Sequence, residues 1–521
     1  MALATAAIIS PCAKFPPLEN LKTKNSNARL FEYSIIRNLD YSTILLLPIS
    51  YLTMQNNLKN ENEAVLQAAY KAWSNAHALR SSRLRNKRFT YGDQWSDVMR
   101  DRNGRTITEW QRYSEDGSAT PITNNVLRQL VKTIVGRFRS QHMEPDNREQ
   151  RLELVRQANC LDELDSRTLE EFLISGCCVQ RVDVQETLCA RQVAVNQVNV
   201  NSFFMNAPLD PLCRDCEIIG QVHDLNIADL LKRVAHHSRK KAEWVRRIYT
   251  DNLSDRIASF TATIGADTQS GRDFWYSHTG KCRAIEVWTL ESREVLVCHD
   301  CKEGQLYVLP STEYKKLKSM PDVKVRWDID TYWRCRWFAP SGELLDSYDS
   351  PYAHGSHPFV MKLYPLTDGE VHSFIEDVID QQKYLNRLVT LVDHIMDASA
   401  KGVLLYPETA MSNGFTWDEV RAVWRNCNGV LPYSPGMSDA KPEQISMNAT
   451  NIGAYDMIQL QMKLLEEISG VSGALQGRNV NTSGSASLYQ SKADNASLAL
   501  TDIFETFNAF RAARDAKVLG L

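Results

Sequence analysis

Two cysteine pairs have the spacing from which structural zinc sites are built. Cys213-Arg-Asp-Cys216 and Cys298-His-Asp-Cys301 each place two thiols three positions apart, and a structural zinc ion takes four such ligands. About eighty residues separate the pairs, and Asp215 and Asp300 favour turns. We interpret both pairs as surface turns and predict no metal and no cofactor; a zinc site is the alternative.

Other residues that could support catalysis lack a recognisable arrangement. His354 and His357 follow Asp346 and Asp349 closely in sequence, but they lie in a polar stretch that we interpret as structural. The chain has no phosphate-binding GxxxxGK loop and no HExxH helix, and Ser485 does not stand in a GxSxG turn. We therefore predict that the protein is not an enzyme.

The composition is typical of a globular protein. The 521 residues are 43% hydrophobic and 24% charged, with a formal net charge of -3. A protein that coats nucleic acid needs clustered cations to displace counterions, so this charge argues against that class. Twelve scattered cysteines indicate a reducing compartment. No run reaches the about 18 continuous apolar residues of a membrane helix.

Residues 1–53 form an irregular extension that we expect to lie outside the working fold. Its most apolar part, residues 41–52, is short and interrupted by Pro48. Met54 opens a more regular sequence, so we expect an over-extended gene start. A membrane-targeting segment is the alternative.

A basic run lies at the end of the first predicted helix, which covers residues 60–85. Arg80-Ser-Ser-Arg-Leu-Arg-Asn-Lys-Arg88 carries five cations in nine residues. We interpret it as a solvated helix face; a contact with DNA phosphates or with an acidic partner is the alternative.

The middle of the chain mixes helical and strand patterns. An apolar stripe from Val126 to Phe138 and the residues 152–174 predict helices. Arg283–Leu290 and Val323–Trp327 alternate as strands of an antiparallel sheet do. The chain is therefore predicted to adopt an α+β fold.

A long helix is predicted from Glu370 to about Ala398, which is ~40 Å at 1.5 Å per residue. Such a one-sided helix must pack along its whole length, either against neighbouring subunits of a closed ring or within a single-chain bundle. The apolar stripe that we expect to pack comprises Phe374, Ile375, Val378, Ile379, Leu385 and Val389.

A small insert and a returning helix follow. Residues 402–407 and 429–433 are predicted strands, and Thr416 with Glu419 has the spacing of a capping box. The returning helix covers residues 454–469, with Ile458, Met462, Leu465 and Ile468 expected inward. Residues 470–487 are rich in Gly, Ser, Asn and Thr, which is typical of a loop. A last helix begins near Leu488.

This order of elements resembles the portal proteins of tailed bacteriophages, in particular those of short-tailed phages. Three groups of residues carry the resemblance, which spans residues 60–521. They are Phe374–Gln381 with Asn386 after His357-Pro358; the glycine-rich stretch 469–486; and Tyr91–Trp95 with Pro121–Asn125 and Val135-Gly136.

The resemblance implies a portal-type fold. Residues 54–355 would form the wing, 356–400 a hinge and the first stem helix, and 401–450 a small α/β clip. Residues 451–469 would be the second stem helix, 470–487 the tunnel loop, and 488–521 a long wing helix. The chain ends before the helical crown that is usual in portals, so we expect the crown to be missing.

The resemblance also implies a function. The chain would be one subunit of a homo-dodecameric ring at one vertex of the virion capsid, assembled in the host cytoplasm. Double-stranded DNA would pass through the ring during genome packaging and ejection, in non-specific and transient contact. The implied partners are the terminase large subunit, a head–tail adaptor, and the major capsid or scaffolding protein, with no membrane.

Two sets of residues are candidates for these contacts. In the clip, Trp417 and Trp424 lie seven positions apart, either in the core or as anchors for a partner. The tunnel loop would face DNA with few cations, because each neutralised phosphate tightens binding; an exposed linker is the alternative. The loop residues are Gly473, Gly477, Arg478, Asn479, Asn481, Thr482, Ser483 and Gly484. The alternative functions are another head–tail structural protein or a zinc-dependent DNA-processing protein.

Overall fold

The computed structural model describes residues 47–100, 103–115, 121–141, 150–186, 191–206, 208–266, 271–277, 280–300, 304–314, 323–401, 403–405, 416, 418–419, 443–445, 453–471, 498 and 500–521. The chain divides into two units, Met1–Val65 and Leu66–Leu521. The described part of the first unit is helical and belongs to α1 (Leu47–Asn75). Residues 1–46 of the predicted extension lie outside the described residues.

The second unit contains helices of very different lengths. In chain order after α1 they are α2 (His77–Tyr91), α3 (Glu109–Glu115), α4 (Val126–Gln141), α5 (Gln150–Asn159), α6 (Leu161–Ser175), α7 (Ile227–Val234), α8 (Arg239–Thr250), α9 (Leu253–Thr263), α10 (Arg272–Trp275), α11 (Phe374–Lys401), α12 (Ala454–Ser469) and α13 (Thr501–Leu519).

All the strand pairs in the described part of the chain are antiparallel. The strands are β1 (Val98–Arg100), β2 (Thr106–Thr108), β3 (Cys177–Glu186), β4 (Arg191–Gln197), β5 (Phe203–Met205), β6 (Ile218–Leu225), β7 (Cys282–Asp300), β8 (Leu306–Pro310), β9 (Val323–Phe338), β10 (Leu344–Asp349), β11 (Phe359–Leu363), β12 (Leu366–Thr367), β13 (Glu370–Val371), β14 (Val403–Leu405) and β15 (Glu443–Ile445). A six-stranded sheet has the order β10-β9-β7-β6-β5, with β8 also paired to β7, and a smaller sheet has the order β11-β3-β4. The α+β prediction is confirmed.

Two predicted helices are each divided. The helix predicted over residues 60–85 is interrupted at Ala76, between α1 and α2. The helix predicted over residues 152–174 is interrupted at Cys160, which has φ 50°. There the Asn159 side chain bonds to the Val193 carbonyl (3.0 Å) and to the Val195 amide (2.9 Å). This contact with β4 ends α5 at a position that the apolar pattern alone does not mark.

Strand β3 lies between two hydrophobic cores. Because successive side chains of a strand point to opposite faces, Cys178 and Val182 join a largely helical core with α4, α6, α11 and α13. Cys177 and Val179 join a second core with β6, β7, α7 and α8. The strand therefore connects the helical bundle to the six-stranded sheet.

A fully buried carboxylate ties the two sheets together. Glu286 of β7 accepts hydrogen bonds from His223 of β6 (2.7 Å), from Arg181 of β3 (2.5 Å) and from the Trp288 indole (2.8 Å). Burial by itself raises the pKa of Glu286, but the charge of Arg181 outweighs it and holds the pKa well below its usual range. The ion pair thus fixes the position of β3 relative to β6 and β7.

The last helix, α13, is held by buried charges on one side. Asp165 of α6 accepts a hydrogen bond from Arg511 (2.9 Å) and one from Arg514. All three side chains are buried, as is Phe507 on the same helix. Helix α13 therefore closes the helical core that α4 and α6 begin.

On its other side, Lys517 of α13 docks against β11. Its ammonium group donates to the carbonyls of His357 (2.7 Å) and Phe359 (2.6 Å), and burial lowers its pKa to about 7. His357 is buried against Trp333, and burial lowers its pKa well below the usual value. Asp346 binds His236 and Lys241, and Asp349 binds Arg334. The two aspartates are thus engaged elsewhere, consistent with a structural role for His357.

We predict that Asp165→Asn lowers the free energy of unfolding by about 3–5 kcal/mol, because it removes the buried carboxylate that the guanidinium groups of Arg511 and Arg514 share. Chemical denaturation followed by circular dichroism measures the change. The matched control is Glu163→Gln on the same helix, an exposed partner of Arg167 at 3.6 Å, which should cost less than about 0.5 kcal/mol. Equal losses in the two variants would contradict the assignment.

Candidate functional site

Helix α11, predicted as the first stem helix, begins with a capping box. The Ser373 amide donates to the Glu376 carboxylate (3.2 Å), and the Glu376 amide donates to the Ser373 hydroxyl (3.4 Å). The prediction that the helix starts at Glu370 is wrong, because Glu370 and Val371 pair with Leu366 and Thr367 in the β12–β13 hairpin. This hairpin and the capping box set the point where the long helix starts.

The first half of α11 packs inside its own chain. Ile375, Val378 and Ile379 are buried in the helical core with α4, α6 and α13. Leu385 is also buried, while Phe374 and Val389 are half-buried. These six residues therefore pack at least partly within one chain, and their packing between ring subunits stays a prediction.

A ladder of buried polar side chains runs along the same face of α11. Gln382, Asn386 and Thr390 follow one another at four-residue steps, and each is buried. Gln382 accepts from the Val126 amide (3.2 Å) and donates to the Asn124 carbonyl (2.6 Å).

The rest of the ladder binds the same segment. Asn386 accepts from the Asn124 amide (3.0 Å), and the Thr390 hydroxyl accepts from the Ile122 amide (3.0 Å). These side chains of α11 thus supply hydrogen-bond partners for backbone groups of residues 122–126. We call Gln382, Asn386 and Thr390 the amide ladder.

The ladder extends to Tyr91–Trp95, which belongs to the third group of residues that carry the family resemblance. Asn386 donates to Gln94 (2.6 Å), and Gln94 donates to the Phe89 carbonyl (2.8 Å) and to Asn125 (3.2 Å). Three stretches that the sequence analysis singled out separately are therefore one hydrogen-bonded site. The motif predicted for the long helix ends at Gln381, but the glutamine that is buried is the next residue, Gln382.

Ion pairs surround the ladder and neutralise the cations of α11. Lys383 contacts Asp97 and Glu109, Arg387 contacts Glu109, and Arg85 contacts Asp97 at 3.0 Å. Burial raises the pKa of Asp97, but hydrogen bonds from Arg85 and Lys383 outweigh it and keep the pKa below its usual value. Lys383 and Arg387 are therefore bound by carboxylates of the same chain.

The pair formed by α11 and α12 leaves apolar side chains on its outer surface. The two helices pack on each other, and Leu465 of α12 is buried in the helical core. Ile468, predicted to point inward, is exposed, while Gln461 is buried. The exposed apolar residues of the pair, which we call the outer stem face, are Tyr384, Leu391, Met396, Tyr455, Met457, Leu460 and Ile468.

The predicted clip is only partly within the described residues. Strand β14 pairs with β15, Val403 opposite Ile445, and the predicted capping box is present: the Thr416 amide donates to Glu419 (2.8 Å) and the Glu419 amide to Thr416 (3.4 Å). Trp417 and Trp424 lie outside the described residues, as does the strand predicted over 429–433.

The residues predicted for the tunnel loop also lie outside the described residues. They are Gly473, Gly477, Arg478, Asn479, Asn481, Thr482, Ser483 and Gly484. Val471, at the start of the predicted loop, and Leu500, further along the chain than its predicted end, are both buried in the same helical core.

The described cysteines of the two pairs, Cys213, Cys216 and Cys298, do not come together, and Cys301 lies outside the described residues. Cys213 and Cys216 are buried together in the second core, and the Glu217 carbonyl accepts from Leu290 of β7 (2.9 Å). Cys298 lies eight residues further along β7, or roughly 25 Å at the rise of a strand. The interpretation of Cys298 as part of a turn is wrong, because it is paired in the sheet with Val325 and Tyr307. Among the described residues no cluster could hold a metal ion.

Most of the basic run is not a solvated face. Arg80 and Arg83 are buried, and Arg83 and Arg85 bind Glu171 and Asp97. Lys87 and Arg88 are exposed. The five cations therefore have different roles, which their spacing does not distinguish.

A family model described as "Phage P22-like portal protein" matches residues 215–514, which is more than half of the chain. The chain belongs to this portal protein family. It is therefore a structural protein of the bacteriophage head–tail connector. No curated protein matches the chain.

The match to the portal family covers the strands from β6 onward, α11, α12 and most of α13. The residues that bind the amide ladder, Gln94 and Ile122–Val126, precede it. In this portal chain they are joined to α11 by the hydrogen bonds given above. None of the helices described in the portal chain is both long enough and apolar enough to cross a membrane.

We predict that Asn386→Ala costs about 1–3 kcal/mol, because it removes the buried hydrogen-bond partner of the Asn124 amide and of Oε1 of Gln94. Hydrogen exchange in residues 121–130 should become faster, as measured by mass spectrometry. Asp393→Ala, an exposed change on the same helix, is the control and should leave exchange unaltered. Unchanged exchange in Asn386→Ala would show that the ladder does not hold this segment.

Proposed function

We propose that the chain is one subunit of a closed portal ring, a homo-dodecamer, at one vertex of the capsid. Double-stranded DNA would pass through this ring during packaging and ejection. In this proposal α11 and α12 are the two stem helices, and the outer stem face packs against neighbouring subunits. The proposal rests on membership of the portal family.

The proposal of a ring depends mainly on the exposure of the apolar residues in the outer stem face. Leu391 is 49% exposed and Tyr455 is 64% exposed, on two helices that already pack against each other. Exposed apolar side chains concentrated on two packed helices are typical of an interaction site. In a cyclic ring each subunit offers one surface to the preceding copy and a different one to the next. Two adjacent helices with outward apolar residues can supply both surfaces.

The charges of these helices support a conduit that does not hold DNA tightly. Each described lysine or arginine side chain of α11 and α12 pairs with a carboxylate: Lys383, Arg387 and Lys463, the last with Glu467 at 3.6 Å. Exposed carboxylates, such as Asp380 and Asp393, lie on the same helices. Because DNA affinity grows with each phosphate that a cation neutralises, such a surface favours passage over binding. The polar residues 473–484, with the single cation Arg478, would face the DNA.

The partners follow from the same proposal. The segment 401–450 would be the clip, which meets the terminase large subunit during packaging and the head–tail adaptor afterwards. Trp417 and Trp424 are candidates for its contacts, since buried aromatic residues dominate protein interfaces. The wing would contact the major capsid or scaffolding protein, and assembly would take place in the host cytoplasm.

We predict that Leu391→Glu prevents ring assembly while the subunit stays folded, because it places a charge in the interface between stems. Sedimentation velocity should show a large oligomer for the unmodified chain and a monomer for the variant, with unchanged circular dichroism. Leu154→Glu, an equally drastic change at a residue of α5 that is 68% exposed, is the control and should still assemble. Normal assembly of Leu391→Glu would contradict the proposed interface.

A further inference from the structure

A cavity of about 320 Å³ lies between the end of α1, the first half of α2 and the beginning of β7. Its wall includes Trp73, Arg80, Asn201, Asp224 and Arg283. None of these residues belongs to the amide ladder or to the outer stem face. The cavity is therefore separate from the surfaces used in the proposed ring.

Arg80 is the unusual group in this cavity. It is only 8% exposed, and its guanidinium group stacks on Trp73 at 3.8 Å. One of its terminal nitrogens, Nη1, has no hydrogen-bond partner in the part of the chain that the structure describes. Burial lowers the pKa of Arg80 to about 10, although the charge of Asp273 acts in the opposite direction.

The neighbouring buried arginines are satisfied in a different way. Arg83, one turn further along α2, forms two hydrogen bonds with Glu171. Arg283, in the same cavity wall as Arg80, binds Asp224 through both carboxylate oxygens (2.9 and 2.7 Å). Buried charges are normally paired in this manner. Arg80 is thus as buried as these paired arginines, but its Nη1 has no hydrogen-bond partner among the described residues.

Two further buried polar atoms accompany it. The indole nitrogen of Trp73 and Oδ1 of Asn201 have no hydrogen-bond partner among the described residues. Both residues line the cavity. A ligand could therefore accept hydrogen bonds from Arg80 and Trp73.

We propose that this cavity binds a carboxylate group. The planar guanidinium group matches the two oxygens of a carboxylate, and a cavity of this volume is in the range of small-molecule sites. A phosphate fits less well, because it concentrates two negative charges on one group beside Asp224 and Asp273, which also line the cavity. The carboxylate belongs either to a small molecule or to an acidic side chain of a partner protein.

Titration of the full-length protein with sodium glutarate tests the proposal. Sodium chloride is lowered as glutarate is added, so that the ionic strength stays constant. The melting temperature should rise in a saturable manner, since a ligand that binds the folded state stabilises it. Arg80→Gln should raise the half-saturating concentration at least tenfold. Lys87→Gln removes the same charge from an exposed position of the same helix and should leave the half-saturating concentration unchanged.

A second variant keeps the test decisive if Arg80→Gln does not fold. Leu84→Trp enlarges an exposed residue at the edge of the cavity and should abolish the glutarate response without altering the buried arginine. A response that is retained in Leu84→Trp, or one that is equal in Arg80→Gln and the unmodified chain, would overturn the proposal.

Two blocked tripeptides distinguish the sources of the carboxylate. Acetyl-Gly-Glu-Gly-amide should bind more tightly than glutarate if the natural ligand is an acidic side chain, and acetyl-Gly-Gln-Gly-amide should then not bind. Binding of glutarate alone would assign the cavity to a small carboxylate. If neither glutarate nor the glutamate peptide gives a saturable response, the cavity is not a carboxylate site.

Discussion

The position of the long helix depends on the amide ladder. Gln382, Asn386 and Thr390 hold residues 122–126, which are about 260 positions away in sequence, through backbone hydrogen bonds of 2.6–3.2 Å. Each of these buried groups would cost free energy if it were left unpaired. The ladder therefore fixes both the rotation and the axial position of α11. Because one face of α11 is committed to the chain's own core, Tyr384 and Leu391 on the opposite side stay exposed.

Buried charges extend this anchoring to the rest of the unit. Glu286 joins β3 to β6 and β7, and Asp165 joins α6 to α13. Replacing such pairs by apolar residues is often neutral or stabilising, whereas removing one partner is costly. Their contribution is therefore to specify which elements meet. Helices α11, α12 and α13 all contribute to one helical core, and Val471 and Leu500 are buried in it as well.

The sequence predicted best what depends on local pattern. Helix α12 has the predicted limits, the capping box of Thr416 and Glu419 is present, and β7 and β9 are strands of an antiparallel sheet as predicted. What failed depends on distant residues. Asn159 ends α5 through β4, and the β12–β13 hairpin delays the start of α11. The burial of Gln382 depends on residues 122–126, which are far away in the chain. The periodicity of apolar residues along α11 therefore cannot predict it. The inward placement of Ile468 failed because the buried stripe of α12 runs through Gln461, Leu465 and Ser469, and Ile468 lies at its edge.

In the proposed ring, α11 and α12 are the anchored stem helices. Their exposed apolar residues pack between subunits, and the ring encloses a channel for DNA. Electron cryo-microscopy of the purified full-length chain tests this proposal most directly. We predict a closed ring in which Leu391 and Tyr455 are covered by neighbouring subunits and residues 473–484 face the central channel. Isolated subunits, or a ring in which these two side chains remain exposed to solvent, would contradict the account.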